Sequence, residues 1–430
     1  MKTNAERQCS PYSSVTDGMV AQLRERYAAV RQLSEQYCRP LAKEDFIPQV
    51  EEYASPPLWH LAHTSWFFEE MLLKPLLADY REFHPQFSFL FNSYYESVGE
   101  RQARHRRGAI TRPGVDTVFS YRHAVDEAMQ TLLSRDVVQE RGVAGLVELG
   151  LQHEQQHQEL LLTDLQLAFY YNPILPIYDS NWREAAFSAA IPVKTSLRRT
   201  RKKATSCAPV TLAEGLYDIG FAGEGFCFDN ECARHKVYLP GCEIQPQLVS
   251  NRDYLAFIEA GAYRNHSLWL SEGWDWVQAT GANAPLYWQQ HDGEWMHFTL
   301  AGLQPLDPEL PVNHVNYYEA AAFAAWCGMR LPTEFEWEAA CANFNWGQRW
   351  EWTQSAYASY PGFKVSSGAV GEYNGKFMVN QMVLRGASIT TSPGHSRPSY
   401  RNFFHPHLQW QSSGIRLAKQ DDTGTQKIPR

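Results

Sequence analysis

The sequence predicts an α+β protein made of two unlike halves, a four-helix bundle over residues 12–190 and an irregular α+β domain over 207–420. Up to about residue 190, apolar residues recur at helical spacing. From 207 onward, short β-type runs alternate with Gly, Pro and irregularly placed aromatics. Between the two lies a basic stretch, Leu197-Arg198-Arg199-Thr200-Arg201-Lys202-Lys203, which reads as solvated linker within 191–206.

The first helix is expected over Val15–Leu41, where Met19, Leu23, Tyr27, Val30, Leu33 and Tyr37 keep helical spacing. A second is expected to start at Ser55 as N-cap, with Pro56 and Pro57 in its first turn, and to continue through Trp59, His63, Trp66, Phe67 and Met71. A third covers Val115–Ser134 and a fourth Val143–Phe169. Four such helices with longish connections form a bundle whose facing side chains can build a site in its core. In the second half, short helices are expected around Asn251–Ala260 and Tyr317–Cys327, and the tract Ser366–Gly371 must be loop.

Composition narrows the function classes. The net charge of -8, with acidic residues spread along the chain, argues against nucleic acid as a partner. No apolar stretch approaches the ~20 residues of a membrane span, and Met1–Pro11 lacks the apolar core of a signal peptide. The 8 cysteines are irregularly spaced, so they are expected to be reduced thiols in a cytoplasmic protein. Cys227 and Cys232 are the nearest pair, without the second pair that a zinc ribbon needs.

The strongest constellation is His153-Glu154-Gln155-Gln156-His157-Gln158-Glu159. Residues four apart on a helix share a face, so His153 and His157 can aim both rings at one ion. The stripe Leu146, Leu149, His153, His157, Leu160, Leu161 puts that pair on the buried side, where each ring nitrogen needs a partner. A third imidazole comes from Trp59-His60-Leu61-Ala62-His63-Thr64, in which His63 shares the face of Trp59, Trp66 and Phe67. His60 falls off that stripe and is expected to support the site or lie at the surface. Three neutral imidazoles without a thiolate or carboxylate suit Zn(II) or Fe(II) and leave positions open; spacing alone does not choose between them. Glu159, two residues beyond His157, is expected to support the site from outside the ligand set.

These segments resemble the ergothioneine-biosynthesis sulfoxide synthases, in which a DinB-like four-helix bundle is fused to a domain of the formylglycine-generating-enzyme (C-type-lectin-like) type. The resemblance runs from about Gln22 to Lys419. In the second half it rests on Gly225-Phe226-Cys227-Phe228-Asp229-Asn230-Glu231, Trp269-Leu270-Ser271-Glu272-Gly273-Trp274 and Pro311-Val312-Asn313-His314-Val315. Leu331-Pro332-Thr333-Glu334-Phe335-Glu336-Trp337-Glu338, Trp350-Glu351-Trp352-Thr353 and Arg385-Gly386-Ala387-Ser388 follow in the same order.

The resemblance implies Fe(II) on His63, His153 and His157, with hercynine (trimethylated histidine), a thiol and O₂ as reactants. It implies that Gln156, Asn402 and Phe403 hold hercynine, an amide and a π face suiting its carboxylate and trimethylammonium. Arg104 and Arg107 fall near arginines that receive the thiol's carboxylate, and a guanidinium fork suits that group. Asn92-Ser93-Tyr94-Tyr95-Glu96 is similar to the paired-tyrosine segment of the cysteine-using branch, which makes Tyr94 and Tyr95 candidate proton donors. One position departs from the pattern: members that use γ-glutamylcysteine carry Asp where this chain has Phe404. Loss of that carboxylate points to a compact donor, free cysteine first.

Three rivals share parts of this pattern. A selenoneine synthase would join hercynine to a selenosugar on the same architecture. A zinc-dependent DinB-like thiol transferase shares the bundle and the three histidines but has no use for the second half. A formylglycine-generating oxidase needs two cysteines after Arg385–Ser388, where this chain has Gly394 and Ser399 and no cysteine beyond Cys341.

Overall fold

The computed structural model describes residues 17–96, 98–139, 142–182, 208–365 and 374–420. The expected linker at 191–206, the loop tract Ser366–Gly371 and the N-terminal segment Met1–Pro11 lie outside them. The architecture is α+β, with long helices in the first half and sheets in the second.

Four helices form the bundle: α1 (Asp17–Cys38), α2 (Pro57–Phe68), α3 (Val115–Leu133) and α4 (Val143–Tyr171). α2 packs on both α3 and α4, and α1 packs on α4. The expected start of α2 is corrected. Its N-cap is Pro56 and no side chain caps it. Ser55 is occupied elsewhere: its N–H donates to Asp164 at 2.8 Å and its hydroxyl accepts from Arg107 at 2.9 Å. Every residue of α2 is buried, so the helix has no solvent face. Gly150 lets α4 come close to α2, since a Cβ there would lie 2.6 Å from the Phe68 ring. That approach lies one turn before His153.

A charged network fills the core beside it. Glu154 accepts from Arg31 at 2.9 Å and Ser34 at 2.6 Å, and also from Arg122. Burial pushes the Glu154 carboxyl up, but the Arg122 and Arg31 guanidiniums outweigh it and bring the group down to about 2. Glu154→Gln would leave two buried guanidiniums short of a counter-charge, so chemical denaturation at neutral pH should show a loss of about 3–5 kcal/mol. The folded value is depressed, so this stabilisation is complete above the ordinary carboxylate range and vanishes as pH falls through about 2. The gap between wild type and variant should therefore close on acidification; a gap that is flat with pH would sink the assignment.

Among the described residues, the second half contains four sheets. β1 (Val210–Leu212), β4 (Cys242–Ile244) and β12 (Ala418–Gln420) form one, in the order β1-β4-β12. A hairpin joins β2 (Gly215–Ile219) to β3 (His235–Leu239), and a meander joins β5 (Trp288–His291), β6 (Glu294–Thr299) and β7 (Gly302–Pro305). The sheet nearest the site orders β10 (Asn402–Phe404), β9 (Met382–Gly386), β8 (Trp350–Ala356) and β11 (Ser413–Gly414). The two expected helices are α5 (Asn251–Glu259) and α7 (Tyr317–Trp326). Two more were not expected, α6 (Ser271–Thr280) and α8 (Glu334–Ala340). The start of α8 is a Thr333/Glu336 capping box, a signal present in the sequence.

Many residues that carry the resemblance build this half. Glu351 takes Arg416 at 2.6 and 2.8 Å and the Trp337 indole N–H at 2.6 Å, all buried. Glu334 takes Arg401 through two bonds of 2.8 and 2.9 Å.

α4 is shared between the halves. Gln152 bonds His395 Nδ1 at 2.8 Å, Gln155 donates to the Pro393 carbonyl at 3.0 Å, and Gln158 accepts from Ser392 at 2.6 Å. Glu159 accepts from Trp350 Nε1 at 2.6 Å, Ser388 at 2.7 Å and Thr391 at 2.9 Å. The expected support of the histidines by Glu159 is thereby corrected: two residues turn a helix by about 200°, so Glu159 faces the second half instead. No disulfide joins the six described cysteines, and no helix among the described residues is long and apolar enough to cross a membrane.

Candidate functional site

His63 of α2 and His153 and His157 of α4 bring one potential ligand atom each to within 4.8 Å of one another. The ring centroids are 4.6 to 4.9 Å apart. Their placement follows from sequence spacing: an i,i+4 pair on α4 faces the central, wholly buried α2. Indole rings hold His63 from both sides, Trp59 stacked at 4.4 Å and Trp66 at 5.4 Å, while Phe67 lies 4.9 Å from His153.

Burial pushes all three imidazoles below their ordinary range, His153 to about 3, and neighbouring cationic forms add to the effect at His63 and His157. They are therefore neutral at physiological pH, as metal-ligating imidazoles must be. His63 Nδ1–H donates to the Phe91 carbonyl at 2.6 Å. Its Nε2 is buried and has no hydrogen-bond partner among the described residues. An orphaned imidazole lone pair pointing into a three-histidine cluster fits a divalent ion of borderline softness, Zn(II) or Fe(II).

His60 is buried, which removes the surface alternative; α2 has no surface on which to place it. Both of its nitrogens are engaged, Nδ1 with His157 Nδ1 at 2.8 Å and Nε2 with Asp164 at 3.0 Å. Asp164 also accepts from the Trp410 indole at 2.7 Å. Neither Asp164 nor Trp410 was singled out from the sequence. The available signal was a carboxylate seven residues after His157, on the same face of α4 amid leucines.

Arg107 is buried with its guanidinium 3.3 Å over the Trp59 ring. It donates to Ser55 at 2.9 Å and Ser93 at 3.0 Å, and its Nε has no partner among the described residues. Its hydrogen bonds among the described residues go to these two serine hydroxyls and to no carboxylate. Arg104 lies at the surface, on the carbonyl of Tyr53.

The aromatic residues form a wall leading away from His63. Beyond Trp66 come buried Tyr95 at 5.4 Å, Tyr94 at 4.7 Å from Tyr95, Phe377 at 5.4 Å from Tyr94 and Phe403 at 6.0 Å from Phe377. Phe403 lies flat on Tyr357 at 4.0 Å, so one of its faces is covered. Alternation along β10 puts Asn402 and Phe404 on the opposite side from Phe403. Phe404 meets Trp410 edge-on at 5.1 Å. The Gln156 amide nitrogen donates to the Tyr400 hydroxyl at 2.7 Å, and Tyr400 bonds His395 at 3.2 Å. Tyr400 and His395 were likewise not anticipated.

Fold and site together define a class: a helical bundle with a three-histidine centre, joined along one of its helices to a domain of the formylglycine-generating-enzyme type. Residues 194–349 match the family described as the sulfatase-modifying factor enzyme 1-like domain. The chain is 27% identical to the hercynine oxygenase of Mycolicibacterium thermoresistibile, over 93% of this chain and 96% of that protein. It is 28% identical to the hercynine oxygenase of Mycobacterium tuberculosis, over 86% of this chain and 92% of that protein. The formylglycine-generating enzyme of Streptomyces coelicolor is 31% identical, over only 33% of this chain and 49% of that protein. The resemblance to the ergothioneine-biosynthesis sulfoxide synthases is borne out: similarity to the hercynine oxygenases extends through bundle and second half alike.

Proposed function

We propose that this protein is an O₂-dependent hercynine sulfoxide synthase of ergothioneine biosynthesis, joining hercynine to a small thiol through a new C–S bond. The observation that carries the reading is the convergence of three neutral imidazoles, two buried and His157 half-buried, in a chain similar along almost its whole length to hercynine oxygenases. His63, His153 and His157 would hold Fe(II), which when bound supplies O₂ activation and a common template for the two substrates.

The remaining work belongs to the chain. Trp59, Trp66 and Phe67 exclude water from the imidazoles. Arg107, buried without a carboxylate, receives the carboxylate of the thiol substrate, and the neighbouring Trp59 fixes the plane of its fork. Gln156 and Asn402 orient hercynine through their amide groups, while Phe403, on the opposite side of β10 and stacked on Tyr357, stands outside that contact. Tyr95, with Tyr94 stacked on it, holds a proton at its phenol oxygen beside the reacting groups. Phe404, packed on Trp410, leaves no carboxylate for a γ-glutamyl amino group, which supports a compact donor, free cysteine first and a selenosugar second.

Metal analysis of purified protein, followed by anaerobic titration and a direct competition among cysteine, γ-glutamylcysteine and a selenosugar, tests this. One Fe(II) per chain is expected, with cysteine the preferred donor. Preference for γ-glutamylcysteine would overturn the inference from Phe404, and preference for the selenosugar would make the protein a selenoneine synthase. Tightly held zinc with no O₂ consumption would favour a thiol transferase instead.

A further inference from the structure

The bonds of His60 specify the proton positions of a candidate metal ligand. Among the described residues the Asp164 carboxylate is met by N–H groups alone: the Ser55 backbone at 2.8 Å, the Trp410 indole at 2.7 Å and His60 Nε2 at 3.0 Å. The first two are obligate donors, so the carboxylate acts as acceptor throughout and the proton of neutral His60 sits on Nε2. Its Nδ1 is then a lone pair. Across the 2.8 Å contact that lone pair requires His157 to carry its own proton on Nδ1, which leaves His157 Nε2 bare. Had His60 been protonated on the side facing His157, the proton of His157 would sit on Nε2 and block coordination.

We infer that Asp164 and His60 form a positioning relay that locks His157 in the Nδ1–H tautomer, so that Nε2 is presented to the metal. The inference rests on the three-histidine reading above and deepens it. Carboxylate–histidine support of a ligand is common; here a second imidazole is interposed, and the carboxylate at the far end is held by Trp410 from the second half. The relay thus ties ligand orientation in the bundle to the docking of the second half, since Trp410 also carries Phe404 against its ring edge. His63 has its counterpart in the Phe91 carbonyl. His60 and Asp164 are positioning residues, because both act through His157 and neither offers a ligand atom to the cluster.

Two substitutions separate positioning from packing. His60→Asn keeps an acceptor near the site of Nδ1, whereas His60→Ala removes it, and both lose the ring. Asp164→Asn has one oxygen for two carboxylate positions: Ser55 N–H and His60 Nε2 share one of them and Trp410 takes the other, so the amide either keeps the first pair and drops Trp410 or turns its N–H₂ to His60, and the proton of His60 is no longer fixed. Metal-free protein with ¹⁵N-labelled histidine is read by long-range ¹H–¹⁵N NMR, and Fe(II) affinity by chelator competition. Wild type should show His157 as Nδ1–H, and Asp164→Asn a mixture in which Nε2–H is populated. Fe(II) affinity should fall about 10–100-fold in His60→Ala and Asp164→Asn, with His60→Asn recovering most of it. Metal-free melting temperatures of the two His60 variants should match. Wild-type His157 found as Nε2–H, wild-type affinity in His60→Ala, or equal losses in His60→Asn and His60→Ala would each overturn the relay. A wild-type protein that takes up no Fe(II) would instead sink the reading of the site. If His60→Ala does not fold, the tautomer and affinity of Asp164→Asn decide alone.

Discussion

Replacing His153 or His157 by alanine is expected to abolish iron uptake and, with it, thiol-dependent O₂ consumption. Metal sites built from four protein ligands are worth about 10–16 kcal/mol, so one ligand of such a set contributes roughly 3–4 kcal/mol. Losing that weakens binding by a factor on the order of several hundred, enough to empty the site at micromolar metal. The fold should survive, because Glu154 between the two histidines keeps Arg31, Arg122 and Ser34 whether or not the rings are present. Metal content by elemental analysis and melting of the metal-free variants check both halves of the expectation. Iron retained at one per chain in either variant would move the site elsewhere.

The bundle was legible in the sequence because its signal is periodic. α3 and α4 begin where spacing puts them, and the paired histidines needed only the i,i+4 rule. What periodicity could not give is exposure. It separated His63 from His60 by assuming that α2 has an outer face, and the helix is buried on all sides. Ser55 looked like a cap because capping is a local property; its bonds to Asp164 and Arg107 span 109 and 52 residues and leave no local trace. The same holds for Asp164, whose partners His60 and Trp410 lie 104 and 246 residues away. In the second half, aromatic and charged residues that carried the resemblance turn out largely to be scaffold. The buried pairs Glu351–Arg416 and Glu334–Arg401 stabilise loops that lack regular backbone pairing. Such residues mark a fold strongly and touch no site.

The Tyr95 phenol should decide what becomes of the thiol. A thiol oxidised alone gives a sulfinate, a reaction that needs no hercynine; coupling requires a proton to be delivered before sulfur is oxygenated twice. Of the two candidate tyrosines, Tyr95 is fully buried, with its ring 5.4 Å from Trp66, which stacks on His63. Tyr94 sits one ring further out, half-buried against Phe377 and under Lys376. A phenol is neutral at physiological pH and can still give a proton or a hydrogen bond. The energy required is small: a tenfold change in partition between two products needs about 1.4 kcal/mol between their barriers, and a single hydrogen bond to a charged group is worth about 1.5–3 kcal/mol. Tyr95→Phe keeps the ring and its packing, so iron content and melting temperature should hold. O₂ consumption should continue while the product shifts from the hercynine sulfoxide toward cysteine sulfinate by at least roughly tenfold, as read by mass spectrometry. A shift in Tyr94→Phe alone would transfer the role to that residue. If both single variants and the double variant keep the wild-type product ratio, the pair serves only as wall, and the proton comes from the second half, where Tyr400 already bonds Gln156 between the two α4 histidines.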